Sequence, residues 1–297
     1  MLLQPLTAGR PFVRNLSSLP DFRSRRTGLK SELEYLSRQN RCAEQLEAIP
    51  HSILEITAYD GVALTGHWYP CEQPGRILIA MHGWQSSWSR DFGTMAEFWR
   101  RSGCSVLFAE QRETAGIPEE ISEFGFMGPY DCIRWVNWVS RRFGTELPIY
   151  LAGISLGATT VLNAASLDLP PNVHGILADS GFTSLSELRT HIFDRGLSLP
   201  CGINEALTDL LCRKDELPVS RACSTVSALQ QSSVPVLLIH GENDRFVPPE
   251  MTVRNFRSCA GPREMYLCSG AEHGRSYDTD PDRYQQVLTR FWAKYDL

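Results

Sequence analysis

The chain has 297 residues, which is enough for one large α/β domain or for two smaller domains. Hydrophobic residues make up 42% and charged residues 21%, a globular composition that excludes a disordered or collagen-like chain. The formal net charge of −5 excludes a broad positive field, so we expect no nucleic-acid partner.

The amino-terminal 30 residues are rich in basic side chains and contain a single acid, Asp21. The basic residues are Arg10, Arg14, Arg23, Arg25, Arg26 and Lys30. This bias fits either an exposed basic arm or a transit peptide. The apolar start, Met1 to Leu3, is too short for a signal peptide, and Pro5 interrupts it.

No apolar run approaches the roughly 18 to 20 residues that a membrane span needs. The nine cysteines form an odd set without a C-x-x-C pair, which favours a reducing compartment over a disulfide framework or a zinc ribbon. We therefore expect a cytoplasmic protein without a membrane span.

Residues 28–48 have the pattern of an amphipathic helix, with Leu29, Leu33, Leu36 and Leu46 on one side. Such a helix packs on the sheet or gates the pocket. We expect an amino-terminal arm and helix over residues 1–49, followed by one domain over residues 50–297.

Short apolar runs rich in β-branched residues predict eight strands. They cover residues 51–57, 62–69, 76–81, 104–110, 149–154, 173–179, 234–240 and 263–267. The first two flank Tyr59-Asp60-Gly61, a hairpin signal, whereas the later ones are separated by helical segments. The pattern predicts an α/β fold whose mostly parallel eight-stranded sheet begins antiparallel and carries helices on both faces.

A nucleophile motif follows the fifth predicted strand, in the segment Gly153-Ile154-Ser155-Leu156-Gly157. This is G-x-S-x-G between a strand and a helix, where small residues allow a tight turn and Ser155 projects at the helix amino terminus. The alternative is a Gly- and Ser-rich turn without chemistry. The motif therefore needs catalytic partners.

A serine nucleophile needs a histidine base and a carboxylate that orients it. His273 follows the last strand and is the best candidate base, while Asp244 follows the seventh strand and is the best candidate acid. Asp179, which ends the sixth strand, is the alternative acid; otherwise it caps the next helix. The order Ser155, Asp244, His273 fits a triad built around this motif, and the longer, more polar turn around Asp244 favours it over Asp179.

An oxyanion hole needs two backbone N–H donors. Leu156 follows the nucleophile, and Trp84 follows a His-Gly pair after the third strand, so we assign the donors to these two residues. We expect His82 and His240 to be structural hydrogen-bonding residues.

Taken together, these motifs resemble the α/β-hydrolase superfamily over about residues 50–297. The segments 179–184, 240–248 and 272–274 are similar to a bacterial branch of largely uncharacterised serine hydrolases of esterase-like and serine-aminopeptidase-like type. The resemblance implies a Ser/Asp/His triad and no cofactor. The segment 110–116 departs from the usual pattern, which leaves the neighbouring pocket wall open.

Aromatic residues on the same loops predict an apolar substrate pocket. The candidate substrate-binding residues are Trp88, Phe126, Phe182 and Phe246. Residues 182–229 are either a small cap over the site or a surface excursion.

The resulting functional hypothesis is a serine hydrolase that cleaves a carboxylic ester through an acyl-enzyme on Ser155, with a small-molecule substrate and no metal. An amidase or aminopeptidase is the alternative, with Glu110, Glu113 or Glu242 as candidate residues for binding a substrate amine. A non-catalytic binding module is the third possibility, which the intact triad disfavours.

Overall fold

A computed structural model of the chain describes residues 22–112, 127–194 and 224–296. Within them, eight strands form a single sheet. The strands are β1 (Ser52–Thr57), β2 (Ala63–Tyr69), β3 (Arg76–Met81), β4 (Cys104–Ala109), β5 (Ile149–Ile154), β6 (Val173–Asp179), β7 (Val236–Gly241) and β8 (Arg263–Cys268).

The sheet has the strand order β1-β2-β4-β3-β5-β6-β7-β8. Strand β2 pairs antiparallel with β1 and with β4, and every other pair is parallel. This confirms the predicted mostly parallel eight-stranded sheet with an antiparallel start. It also brings the carboxyl ends of β3 and of β5 to β8 to one edge of the sheet.

Helices cover both faces of the sheet. Those described are α1 (Phe22–Glu47), α2 (Trp88–Phe92), α3 (Ala96–Arg101), α4 (Gly128–Phe143), α5 (Leu156–Ala164), α6 (Leu185–Asp194), α7 (Thr225–Gln230), α8 (Pro249–Ser258), α9 (Ser276–Thr279) and α10 (Pro281–Tyr295).

Strand β4 shows how the two cores divide, because successive side chains of a strand point to opposite faces. Leu107 and Ala109 belong to the core that α4 and α5 cover. Val106 and Phe108 belong to the core that α2, α3 and α10 cover. Burial on both faces explains why the central strands are apolar runs rather than alternating patterns.

Helix α1 starts earlier than predicted, and its buried side differs in part from the predicted one. Leu46, a residue of the predicted apolar stripe, is buried together with Ala43, whereas Leu33 is 57% exposed, so the prediction is confirmed for Leu46 and wrong for Leu33. The buried end packs closely on α2: a Cβ at Gly93 would lie only 2.9 Å from the backbone nitrogen of Ala43. The carboxyl-terminal half of α1 is therefore fixed to the domain.

The central part of the segment predicted as a small cap, residues 195–223, lies outside the described residues, as does the basic arm up to residue 21. The flanking helices α6 and α7 are described. Within the described ranges, no helix is both long enough and apolar enough to cross a bilayer. The division of the chain at residue 49 stays a prediction.

Candidate active site

The predicted catalytic residues lie together at the carboxyl edge of the sheet. Ser155 directly follows β5, Asp244 follows β7, and His273 follows β8. Parallel strands end at the same edge, so residues far apart in the chain meet there. Polar groups at this edge are in the usual position for a ligand site of an open α/β sheet.

Ser155 lies on a strained turn between β5 and α5. Its φ of 56° is in the left-handed region, which a residue with a side chain seldom adopts. The turn packs closely on the end of β3: a Cβ at Gly157 would lie 2.5 Å from the carbonyl carbon of Met81 and 2.7 Å from the oxygen of His82. The two glycines of the motif are thus required by close backbone packing.

A continuous hydrogen-bonded chain joins the three predicted residues. His273 Nε2 lies 2.9 Å from Ser155 Oγ, and His273 Nδ1 lies 2.6 Å from Asp244 Oδ2. Asp244 Oδ1 accepts hydrogen bonds from the backbone N–H groups of Phe246 and Val247, each at 2.9 Å. When Nδ1–H donates to the carboxylate, Nε2 is left as the acceptor for the serine proton.

A second histidine, His240, also contacts the Asp244 carboxylate. His240 Nε2 lies 3.1 Å from Asp244 Oδ2 and 2.9 Å from the Val247 carbonyl oxygen. Its Nδ1 lies 2.7 Å from Thr252 Oγ1. We expected a structural role for His240, and its hydrogen bonds fit one; its contact with the acid was missed. The sequence contained no signal for this contact, because His240 lies at the end of β7 and Asp244 lies in the loop that follows it.

Electrostatics favour the charged forms of Asp244 and His273. Burial opposes ionisation of Asp244, but the charge of His273 and the hydrogen bonds from both histidines outweigh it and hold the pKa of Asp244 below its ordinary value. Burial also disfavours the imidazolium of His273. The Asp244 charge outweighs that effect and raises the pKa of His273 above its ordinary value.

Asp179, the alternative acid, is fully buried and points elsewhere. Its Oδ1 accepts hydrogen bonds from Ser180 Oγ at 3.0 Å and from Ser276 Oγ at 3.2 Å. The carboxylate therefore joins the loop after β6 to α9. It is neither the hydrogen-bond partner of His273 nor the cap of α6, where Ser184 Oγ accepts from the Glu187 N–H.

The loop after β3 lies beside the nucleophile. A Cβ at Gly83 would lie 3.5 Å from Ser155 Cβ, so the next residue, Trp84, is close to the reacting atoms. Asp91 holds this loop by accepting hydrogen bonds from Gly83 N–H at 2.6 Å and from Ser86 Oγ. Nothing in the sequence pattern indicated this role of Asp91.

His82, at the start of that loop, forms only structural hydrogen bonds. Its Nδ1 lies 2.7 Å from the Gly83 carbonyl oxygen, and its Nε2 accepts from the Gln111 N–H at 3.0 Å. Burial lowers the pKa of His82, which fits a neutral imidazole with one donor and one acceptor. This agrees with the structural role that we predicted.

Leu156, the other assigned oxyanion donor, is the first residue of α5. An N–H at this position has no partner within its own helix and points toward the helix amino terminus. Leu156 and Trp84 both line the cavity next to Ser155. Their roles as donors remain a proposal.

A cavity of about 430 Å³ opens beside Ser155 and His273. Phe182 and Phe246 line it as predicted, and the Phe246 ring meets the His273 ring edge-on at 5.0 Å. The prediction for Trp88 is wrong, because its side chain turns into the core and stacks on His67 at 4.2 Å. Phe126 lies outside the described residues.

Two of the three acids proposed to bind a substrate amine, Glu110 and Glu242, do not line this cavity. Glu110 pairs with His67 at 2.7 Å. Glu242 is exposed to solvent and is not among the residues that line the cavity, and Glu113 lies outside the described residues. The acids that line the cavity are Asp91, Glu272 and Asp278. In the described part of the chain, no three His, Cys, Asp or Glu side chains are grouped as a metal site requires.

Comparisons with known proteins identify the family and the fold. Residues 123–295 match the model of the prolyl oligopeptidase family. The chain is 24% identical to the uncharacterised protein YqkD of Bacillus subtilis strain 168 over 249 residues, which are 84% of this chain and 80% of that protein.

Two solved structures show the same fold. The esterase Pf2001 of Pyrococcus furiosus has a TM-score of 0.66 at 20% identity and covers 84% of this chain and 92% of its own. The α/β hydrolase GrgF of Penicillium sp. sh18 has a TM-score of 0.66 at 19% identity, and the match covers 83% of this chain and 99% of GrgF. The resemblance to the α/β-hydrolase superfamily is thereby confirmed.

Proposed function

The chain belongs to the prolyl oligopeptidase family, and on that premise we propose that it is a serine hydrolase that cleaves a carboxylic ester through an acyl-enzyme on Ser155. That it is a hydrolase follows from the family and the fold. The finer proposal depends on one observation, the hydrogen-bonded chain from Ser155 through His273 to Asp244.

In the first step, Ser155 Oγ attacks the ester carbonyl carbon while His273 Nε2 takes the hydroxyl proton. The contact of 2.9 Å between these atoms is within reach for that transfer. Asp244 holds the imidazole in the correct tautomer and stabilises its cation. The carbonyl oxygen becomes an oxyanion, which the N–H groups of Leu156 and Trp84 bind.

In the second step, the carbon–oxygen bond to the leaving alcohol breaks and His273 returns the proton to that alcohol. Ser155 is now acylated. Water then attacks the acyl-enzyme with His273 as base, which releases the carboxylic acid and restores the serine. No cofactor is needed for this sequence.

We expect the pH dependence of kcat/KM to report the charge of Asp244. Only neutral His273 accepts a proton, and its raised pKa places the acidic limb above about pH 6.5. In Asp244→Asn the stabilising charge is lost, so the limb should move to lower pH while kcat falls about 10⁴-fold. The check is a pH profile of both proteins; a limb that stays in place would contradict this role of Asp244.

The ester assignment has two rivals. An amidase would need an acidic group free to bind an amine, but Glu110 is paired with His67, Asp278 with Arg38 and Glu272 with Arg275, and Asp91 accepts hydrogen bonds from Gly83 N–H and Ser86 Oγ. A non-catalytic binding module would not need the aligned serine and histidine. Both rivals predict measurable differences from an esterase.

The test is stopped-flow hydrolysis of p-nitrophenyl acetate, butyrate, hexanoate and octanoate. An acyl-enzyme predicts a burst of p-nitrophenol of about one equivalent followed by slower turnover, if deacylation limits the rate. Matched p-nitroanilides test the amidase rival, which would release p-nitroaniline at a measurable rate, whereas an esterase should leave the anilides intact. A folded protein that hydrolyses none of these compounds would contradict the proposal.

A further inference from the structure

The cavity next to Ser155 has two walls of opposite chemical character. One is apolar and consists of Leu156 at the start of α5, Phe182, and Leu185 and Leu188 of α6. The other is polar and includes Tyr35 and Gln39 of α1, the amino-terminal helix of the described chain. A substrate that fills this cavity therefore contacts both walls.

The polar wall is fastened to the loop that carries His273. Arg275 lies two residues after His273, and its guanidinium donates to both oxygens of Glu32 at 2.6 and 2.8 Å. The same guanidinium stacks over the Tyr35 ring at 3.9 Å. Because these contacts hold Tyr35 beside the catalytic loop, its place at the cavity is well defined.

Most charged groups near this wall have partners within the protein. Arg275 also contacts Glu272 at 3.0 Å, and Asp278 pairs with Arg38 at 3.5 Å. The Asp91 carboxylate accepts hydrogen bonds from Gly83 N–H and Ser86 Oγ. Arg90 and Arg245 line the cavity as well, but both residues are exposed and water screens their charges. In the described part of the cavity wall, these charges are therefore paired, hydrogen-bonded or screened.

Tyr35 and Gln39 retain neutral hydrogen-bonding capacity. The Tyr35 hydroxyl accepts from Gln39 Nε2 at 3.4 Å, and among the described residues we find no acceptor for the hydroxyl proton and no donor to Gln39 Oε1. Burial, followed by the Asp278 charge, raises the pKa of Tyr35 to about 12, so the hydroxyl stays protonated at neutral pH. These two residues, which line the cavity, thus retain one donor and one acceptor between them.

We propose that α1 forms a polar subsite of the active site and that the substrate is an amphiphilic ester. Its apolar part packs against the α5 and α6 wall, and an uncharged hydrogen-bonding group such as a hydroxyl binds Tyr35 and Gln39. A ligand without that group leaves both side chains unpaired, which carries a free-energy cost. This inference rests on the proposed ester hydrolysis at Ser155.

Two ester series test the subsite, whichever side of the scissile bond it binds. The acyl series is p-nitrophenyl hexanoate, 6-hydroxyhexanoate and 6-aminohexanoate. The alcohol series is hexyl, 6-hydroxyhexyl and 6-aminohexyl acetate, followed by acid release. In one series we expect kcat/KM for the hydroxyl member to exceed that of the methyl member by about fivefold, the ratio that one net hydrogen bond supplies.

Tyr35→Phe and Gln39→Leu should each lower that ratio, and the double variant should abolish it. Tyr59→Phe and Gln45→Leu are matched controls at exposed positions away from the cavity, and they should leave the ratio unchanged. A ratio that survives in the double variant, or a preference for the ammonium member, would overturn the subsite.

The same measurements separate the two proposals. If wild type hydrolyses the esters but prefers the hydroxyl member in neither series, the subsite is wrong and ester hydrolysis stands. If wild type hydrolyses none of the six esters and no acyl-enzyme forms, the proposed function fails and the subsite fails with it.

Discussion

Ser155→Ala is expected to lower kcat/KM for ester hydrolysis by about a millionfold without disturbing the fold. The variant removes the attacking oxygen, and the hydrolysis that remains depends on the oxyanion donors and substrate binding alone. Ser155 is half-buried and its hydroxyl contacts His273 beside the cavity, so loss of the hydroxyl leaves no new cavity in the core. Steady-state kinetics together with a thermal melt provide the check.

His273→Ala should be nearly as impaired, and the double variant should be no slower than Ser155→Ala, because the two side chains act as a unit. Ser227→Ala, an exposed serine on α7, is the matched control and should keep wild-type kinetics. Additive losses in the double variant would mean that Ser155 and His273 do not act in the same step.

Gly157→Ala is the second large expected effect, this time on stability. A Cβ at residue 157 would fall inside the van der Waals contact distance of the Met81 carbonyl oxygen and 2.7 Å from the His82 oxygen. Both are backbone atoms, at the end of β3 and the start of the loop that follows it, so neither moves aside cheaply. We expect a loss of more than about 4 kcal/mol in the free energy of unfolding, or no folded protein.

Gly75→Ala is the matched control for Gly157→Ala. Its Cβ would meet only the Gly103 carbonyl oxygen, at an ordinary 4.0 Å, and its φ lies outside the left-handed region. The change should leave the free energy of unfolding unchanged or raise it by about 0.4 to 1 kcal/mol, because alanine lowers the conformational entropy of the unfolded chain. Equal urea midpoints for the two variants would contradict the account of the turn.

The positions of the strands and the antiparallel start of the sheet could be predicted because the signals are local. The runs 76–81 and 149–154 are apolar throughout and are buried on both faces. The motif around Ser155 is equally local, since close packing of backbones excludes side chains at Gly153 and Gly157. Buried strands and tight turns of this kind can be predicted because the residues that cause them lie next to one another in the sequence.

The direction in which a side chain points in the folded protein could not be predicted in the same way. Trp88 is four residues from Trp84, yet it begins α2 and points into the core against His67, whereas Trp84 faces the cavity. Leu33 fits an apolar stripe but is exposed, while Tyr35 and Gln39 reach the cavity. Periodicity identifies a helix but does not determine what it packs against.

The network around Asp244 shows the same limit at the site. The longer and more polar turn around Asp244 favoured it over Asp179, and the structure has Asp244 as the hydrogen-bond partner of His273. The sequence could not show that His240 contacts the same carboxylate or that Asp91 holds the loop beside Ser155. These contacts join separate strands and loops, so only the folded chain brings them together.

The most direct test of the central claim is to identify the residue that a fluorophosphonate labels. Intact-mass and peptide mass spectrometry of the labelled wild-type protein should show one adduct per chain, on the peptide that contains Ser155. Labelling should vanish in Ser155→Ala and become far slower in His273→Ala. An adduct on a different residue of the wild type, or undiminished labelling of Ser155→Ala, would contradict the account.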